Sequence, residues 1–131
     1  MNRAVEIARA CGAGVTGSHV VYTSKTEDGR WRHGTDYFNK DAIYPDTEAT
    51  REMCELMADR YVDAGVEVVI APEKGGIILS QWIANRLTQR TGRKVHAVYA
   101  EKDKDGNFFF GRGYDAYVRG KKALLGEDVL N

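Results

Sequence analysis

No stretch of this sequence stays apolar over the roughly 20 residues needed to span a bilayer, which argues against a membrane partner. The opening Met1 to Glu6 carries an acid and no long apolar core, so it does not read as a secretory signal. Cysteine is scarce. Cys11 and Cys54 lack metal-ligand spacing and sit in helix-like segments, so both read as small buried apolar residues of a protein kept in a reducing cytoplasm. Neither has a base nearby in sequence, so neither is expected to act as a nucleophile. Net charge is missing as well. Lys plus Arg and Asp plus Glu both number 19, leaving no overall positive field to hold nucleic acid. Any phosphate handling must therefore come from a local site. Internal repeats and low-complexity tracts are absent.

What is present fits one globular α/β domain. The chain has 131 residues, 43% apolar and 29% charged, with room for a single core. Residues 3 to 11 have helical spacing, stopped by Gly12 and Gly14. His19 to Ser24 reads as a strand, Glu27-Asp28-Gly29 as a turn, and Thr35 to Asn39 as the strand that would complete a hairpin-like unit. Pro45 to Glu48 opens a second helix, whose apolar stripe would be Met53, Met57 and Tyr61 beside Cys54, Leu56 and Ala58. Asp63-Ala64-Gly65 closes it. Val66 to Ala71 is almost continuously β-branched, the mark of a buried parallel strand. Gly75-Gly76 opens a helix to Thr91, with Ile78, Trp82, Ala84 and Leu87 available for packing. Residues 94–99 supply the next strand, giving a βαβ unit. From Glu101 to Gly113 the chain becomes a charged, glycine-rich loop or loose hairpin around Phe108-Phe109-Phe110, the kind of segment that often serves as a lid. Residues 121–125 form the last strand.

Four places could carry chemistry. The final strand delivers Glu127 and Asp128, and ligand-handling groups of open α/β sheets lie just past the carboxyl ends of strands. Neighbouring carboxylates are costly to hold together unless they meet a metal, a cation or sugar hydroxyls; otherwise they are simply solvated charge. Ala71-Pro72-Glu73-Lys74-Gly75-Gly76 is a strand-to-helix turn in which glycines permit close backbone approach and the helix start favours an anion. It reads as a phosphate or pyrophosphate cradle with Lys74 as a point charge, or as an ordinary βα turn with a solvated lysine. Lys102 and Lys104 on the suspected lid could close over a leaving phosphate, or be solvated loop charges. Tyr37 to Asp41 suits a planar polar ligand, although Tyr37 and Phe38 read equally as core, which we favour. His19, His33 and His96 share no spacing and receive no role.

In combination these pieces resemble the type I phosphoribosyltransferases, and more closely the orotate phosphoribosyltransferases. Four segments carry the resemblance: Tyr22 to Ser24, Tyr37 to Pro45, Ala71 to Ser80, and Glu127 to Leu130. It covers most of the chain from about residue 18. It implies a parallel sheet flanked by helices, with a small amino-terminal hood (about residues 1–45), a core that is partial at the carboxyl end (about 46–131), and a homodimer. It also implies a reaction: orotate and 5-phosphoribosyl pyrophosphate, with Mg²⁺ carried by the substrate, give orotidine monophosphate and pyrophosphate in pyrimidine synthesis. Position by position, Glu73 and Lys74 resemble the pyrophosphate-loop pair. Lys102 and Lys104 resemble the shielding-loop lysines, and Glu127 and Asp128 the acids that hold the ribose hydroxyls. Lys102, Lys104 and Asp128 would be the catalytic members, while Phe38 and Asn39 fall where the hood faces orotate.

There are departures. Gly126 replaces the usual apolar residue before the acids, Glu101 stands where many relatives have arginine, and the stretch from Lys25 to Arg32 is longer than the usual turn. The family's Thr/Gly-rich loop for the 5′-phosphate, the strands after it and the arginine that contacts orotate would lie past Asn131. A chain lacking them is expected to expose an unprotected sheet edge, to self-associate, and to turn over little by itself. The competing readings are a binding module of the same fold without turnover, and an unrelated α/β nucleotide-binding domain.

Overall fold

The structure is a computed structural model that describes residues 2–129. Met1, Leu130 and Asn131 lie outside the described residues, so the last position of the acid-bearing segment is not placed. The chain forms two compact units that meet in sequence between Thr50 and Arg51.

The amino-terminal unit begins with α1 (Arg3–Ala10), whose start is capped by Asn2: its side chain accepts the Ala4 N–H at 3.0 Å. Ile7 and Ala8 form its buried face. Two small antiparallel pairs follow. β1 (Gly14–Val15) pairs with β4 (Tyr37–Phe38), and β2 (Val20–Lys25) pairs with β3 (Trp31–Gly34). The hairpin expected between residues 19–24 and 35–39 is therefore built differently. Its second strand is Trp31–Gly34, because the turn closes early: Thr26 N–H donates to Arg30 O at 2.8 Å around Gly29, which sits at φ 82°. Tyr22 then reaches across the pair, its hydroxyl donating to Asp36 O at 2.6 Å. A Cβ at Gly34 would run into the Tyr22 ring, so a larger residue there would have to displace the tyrosine.

α2 (Thr47–Ala58) starts in this unit and runs into the next, with Asp46 accepting the Ala49 N–H at 3.0 Å near its start. Its buried line is Thr50, Cys54 and Ala58, at spacing four. The stripe expected from Met53, Met57 and Tyr61 lies to one side of this line, and Leu56 and Tyr61 are exposed. Smaller residues face inward, which permits close packing. The chain continues as a 3₁₀ turn (Asp59–Ala64) ending at Gly65, in the left-handed region at φ 69°.

The second unit contains a four-stranded sheet in the order β7-β6-β5-β8, from β5 (Val68–Pro72), β6 (His96–Lys102), β7 (Phe108–Phe109) and β8 (Ala123–Leu125). β5 is central and parallel to both β6 and β8, while β7 folds back antiparallel on β6. The parallel core expected from residues 66–71, 94–99 and 121–125 is thus present, with β5 between the other two. Val68 and Val69 are both fully buried although successive side chains point to opposite faces, so both faces of β5 are covered. Each such valine contributes about 1.5–3 kcal/mol of burial. α3 (Gly75–Thr91) packs on β5 and β6 through Leu79, Ile83, Ala84 and Leu87. Ile78 is exposed and Trp82 only half-buried, contrary to the packing set read from sequence. Glu67 pins the edge strand. Its N–H donates to Lys122 O at 2.8 Å, and its carboxylate accepts the Lys122 N–H at 3.0 Å and Lys121 Nζ at 3.1 Å. β8 is the outer strand, and Leu125 on it is 70% exposed. A short helix, α4 (Asp115–Val118), precedes it. No described helix is long and apolar enough to cross a membrane.

Candidate functional site

The register places three chain segments at one edge of the sheet. Pro72 pairs with Ala100 and Ile70 with Leu125, all in parallel, so the turn after β5, the loop after β6 and the acids after β8 leave the sheet in the same direction. This is where open α/β sheets put their ligands.

The turn after β5 is held tightly. Glu73 N–H donates to Ala100 O at 2.9 Å, and the Glu73–Lys74 peptide is cis. Lys74 is exposed and occupies the N-cap position of α3, with no side chain capping the helix start. The first N–H groups of a helix have no acceptor within it and carry the positive end of its dipole, so an anion beside Lys74 would meet both. Gly76 is buried, and a Cβ there would stand 2.8 Å from the Ala71 Cβ and 3.5 Å from Gly126 O. The helix therefore starts against the strand and beside the acid-bearing segment only because residue 76 has no side chain.

The loop after β6 is an ordered hairpin with both ends tied. Lys102 N–H donates to Glu73 Oε1 at 2.8 Å, and Arg112 Nε donates to Glu101 Oε1 at 2.7 Å. At the tip, Asp103 accepts the backbone N–H groups of Asp105 and Asn107, each at 2.9 Å, which hold its carboxyl below the usual range. Lys102 Nζ lies 5.3 Å from the centre of the Phe108 ring, so this cation rests on its own hairpin. Lys104 is exposed. Glu73 and Lys102, read from sequence as separate ligand groups, are thus joined to each other. The Glu101–Arg112 pair has only a weak signal in the sequence, an acid and a base flanking a glycine-rich loop.

Gly126 N–H donates to Ile70 O at 2.8 Å, extending the β5–β8 ladder by one bond. Glu127 and Asp128 follow, both half-buried, and Asp128 N–H donates to Glu127 Oε1 at 2.9 Å. Burial, and then the neighbouring Asp128, push the Glu127 carboxyl above its usual range. A charge held at this cost is relieved by a cation or by hydroxyl donors. Two adjacent carboxylates suit Mg²⁺, which keeps several waters and binds through one or two carboxylates plus substrate phosphates. Among the described residues no group of three His, Cys, Asp or Glu could hold a metal by itself.

In the amino-terminal unit, Phe38 is 56% and Tyr37 48% exposed, so these aromatics are not core. The β1–β4 pair is only two residues long. Asn39 N–H donates to Ala13 O at 2.7 Å, fixing the backbone beside Phe38. The same unit brings together two histidines that share no sequence spacing: His19 Nε2 and His33 Nδ1 lie 2.7 Å apart. An open groove of about 460 Å³ is lined by Thr26, Arg30, Trp31 and His33. Cys54 is fully buried, and burial pushes its thiol up to about 12, whereas Cys11 is half-exposed rather than buried as expected.

No family model matches the chain. Among curated proteins it is similar to the orotate phosphoribosyltransferase of Chlorobium phaeobacteroides (strain DSM 266), 31% identical over 128 residues, covering 96% of this chain and 58% of that protein. It is also similar to the orotate phosphoribosyltransferase of Desulforamulus reducens, 29% identical over 99 residues, 76% of this chain and 48% of that one. The chain therefore spans about half the length of the curated relatives it matches. Its fold is similar to the crystal structure of orotate phosphoribosyltransferase from Francisella tularensis, with a TM-score of 0.58 and 21% identity over 96% of this chain and 56% of that one. The chain is thus similar in sequence to orotate phosphoribosyltransferases, and its fold is similar to part of one that has been solved.

Proposed function

We propose that this chain carries the pyrophosphate- and ribose-handling part of an orotate phosphoribosyltransferase acting in cytoplasmic pyrimidine synthesis. One observation supports the reading above the others. The Lys74 turn, the Lys102–Lys104 hairpin and the Glu127–Asp128 pair leave three neighbouring parallel strands at the same edge. In the proposed reaction a ring nitrogen of orotate gives up its proton to solvent and bonds to the ribose C1, the bond from C1 to pyrophosphate breaks, and pyrophosphate carries the electron pair away. Lys74 and the start of α3 would hold the departing pyrophosphate. Lys102 and Lys104 would stabilise the charge that grows on it. Glu127 and Asp128 would hold the ribose hydroxyls, with Mg²⁺ arriving on the substrate and neutralising its phosphates. Phe38 and Asn39 would face the base. A homodimer is part of the proposal.

The test supplies 5-phosphoribosyl pyrophosphate and Mg²⁺ with and without orotate, and measures both binding and released pyrophosphate. Binding together with orotate-dependent release supports the proposal. Binding without release assigns a non-catalytic module of the same fold, and failure to bind removes the proposal altogether.

A further inference from the structure

We propose that Glu73 is a positioning residue: it acts on the ligand site through the Lys102 backbone, and touches neither pyrophosphate nor cation itself. The inference rests on the pyrophosphate reading of the Lys74 turn. Glu73 stands immediately after the last paired residue of β5, where the chain swings away toward α3. Its N–H still reaches Ala100 O at 2.9 Å, and its Oε1 takes the Lys102 N–H at 2.8 Å. The side chain thus supplies the carbonyl that a further residue of β5 would have offered, and prolongs the parallel ladder by one rung after the backbone has left it. That rung lies at the root of the hairpin bearing Lys102 and Lys104. The second root tie, Glu101 to Arg112 at 2.7 Å, closes the other side. The hairpin's departure point is therefore set by the residue next to Lys74. An anion that orders the Lys74 turn also orders Glu73, and through it the lysine hairpin. By linkage, a hairpin held in place also favours the anion.

This role needs an acceptor oxygen and does not need a charge, which makes it testable. Glu73→Gln keeps an oxygen that can accept the Lys102 N–H, whereas Glu73→Ala removes it. Amide hydrogen exchange at Lys102 is measured with and without pyrophosphate for the unaltered chain and both variants, together with pyrophosphate affinity and thermal unfolding as a folding control. We expect about tenfold or faster exchange at Lys102 in Glu73→Ala, with exchange near the original in Glu73→Gln. We expect pyrophosphate affinity to fall several-fold in Glu73→Ala and to be largely retained in Glu73→Gln. If Gln behaves as badly as Ala in affinity, Glu73 acts through its charge and the positioning role is overturned. Unchanged Lys102 exchange in Glu73→Ala overturns it as well. If the unaltered chain binds no pyrophosphate, the functional reading fails, while the exchange arm still decides whether Glu73 holds the hairpin.

Discussion

The Cα of Gly76 lies so close to Ala71 that an added Cβ would stand 2.8 Å from the alanine methyl. Ala71 cannot swing aside, since it is fully buried on the central strand. Gly76→Ala should therefore cost about 1–3 kcal/mol through overpacking. Gly126→Ala offers the contrast. A Cβ there meets Ile83 at 3.6 Å and Ile70 O at 3.9 Å, ordinary contact distances. Urea unfolding of the two variants should show a clear loss for the first and little change, or a gain of about 0.4–1 kcal/mol, for the second. Equal losses would mean that the helix start is not the tight point.

Removal of the Lys74 ammonium should weaken pyrophosphate by about tenfold or more, the loss of one charged hydrogen bond. Lys74 is exposed at the start of α3, so Lys74→Ala should leave the unfolding midpoint nearly unchanged. Calorimetric titration with pyrophosphate decides the matter. Unaltered affinity would return the turn to a plain βα connection.

Asp59 and Glu127 should respond to acid in opposite senses. Arg86 grips Asp59 with two bonds of 2.9 Å and holds its carboxyl below the usual range. The stability this pair provides is present above the unfolded value near 3.8 and is lost as pH falls through the lower folded value. Glu127 is raised, first by burial and then by Asp128. Its contribution is complete below the unfolded value near 4.5 and declines as pH climbs through the higher folded value. Unfolding curves across pH 3 to 7 should show Arg86→Ala flattening the acid limb. Glu127→Gln should gain relative stability toward neutral pH. A Glu127 carboxyl that titrates by NMR at or below its unfolded value would refute the second half.

Alkylation should separate the two thiols. Cys54 is buried with its thiol pushed up to about 12, so it should resist iodoacetamide in the folded protein and react only in denaturant. Cys11, half-exposed at the end of α1, should be labelled first. Mass spectrometry of the labelled peptides reads this directly, and early labelling of Cys54 would show that its surroundings open readily.

The parts legible in the sequence are those set by local chemistry. Val68 to Ile70 announces a covered parallel strand, and the paired acids after Leu125 announce the end of another. What escaped depends on contacts far apart along the chain. Which side of α3 faces the sheet could not be read, because apolar residues occur all round it. Packing chose Leu79 and Ile83 over Ile78 and Trp82. The partner of β2 lies a few residues earlier than the sequence suggests, because the turn closes on a bond between Thr26 and Arg30. The Glu73–Lys102 bond spans 29 residues and is made by a backbone N–H, a group with no signature in residue type.

The placing of Lys102 over the Phe108 ring has a consequence for affinity in the proposed site. An ammonium resting on an aromatic face is held by about 0.5–1 kcal/mol, so a ligand that recruits it must first outcompete the ring. The cost falls on every anion alike, a loss of about twofold to fivefold in affinity. Phe108→Leu would remove it. Calorimetric titration should show pyrophosphate bound about twofold to fivefold more tightly by the variant than by the original chain. Identical affinity would mean that the ring exerts no such control.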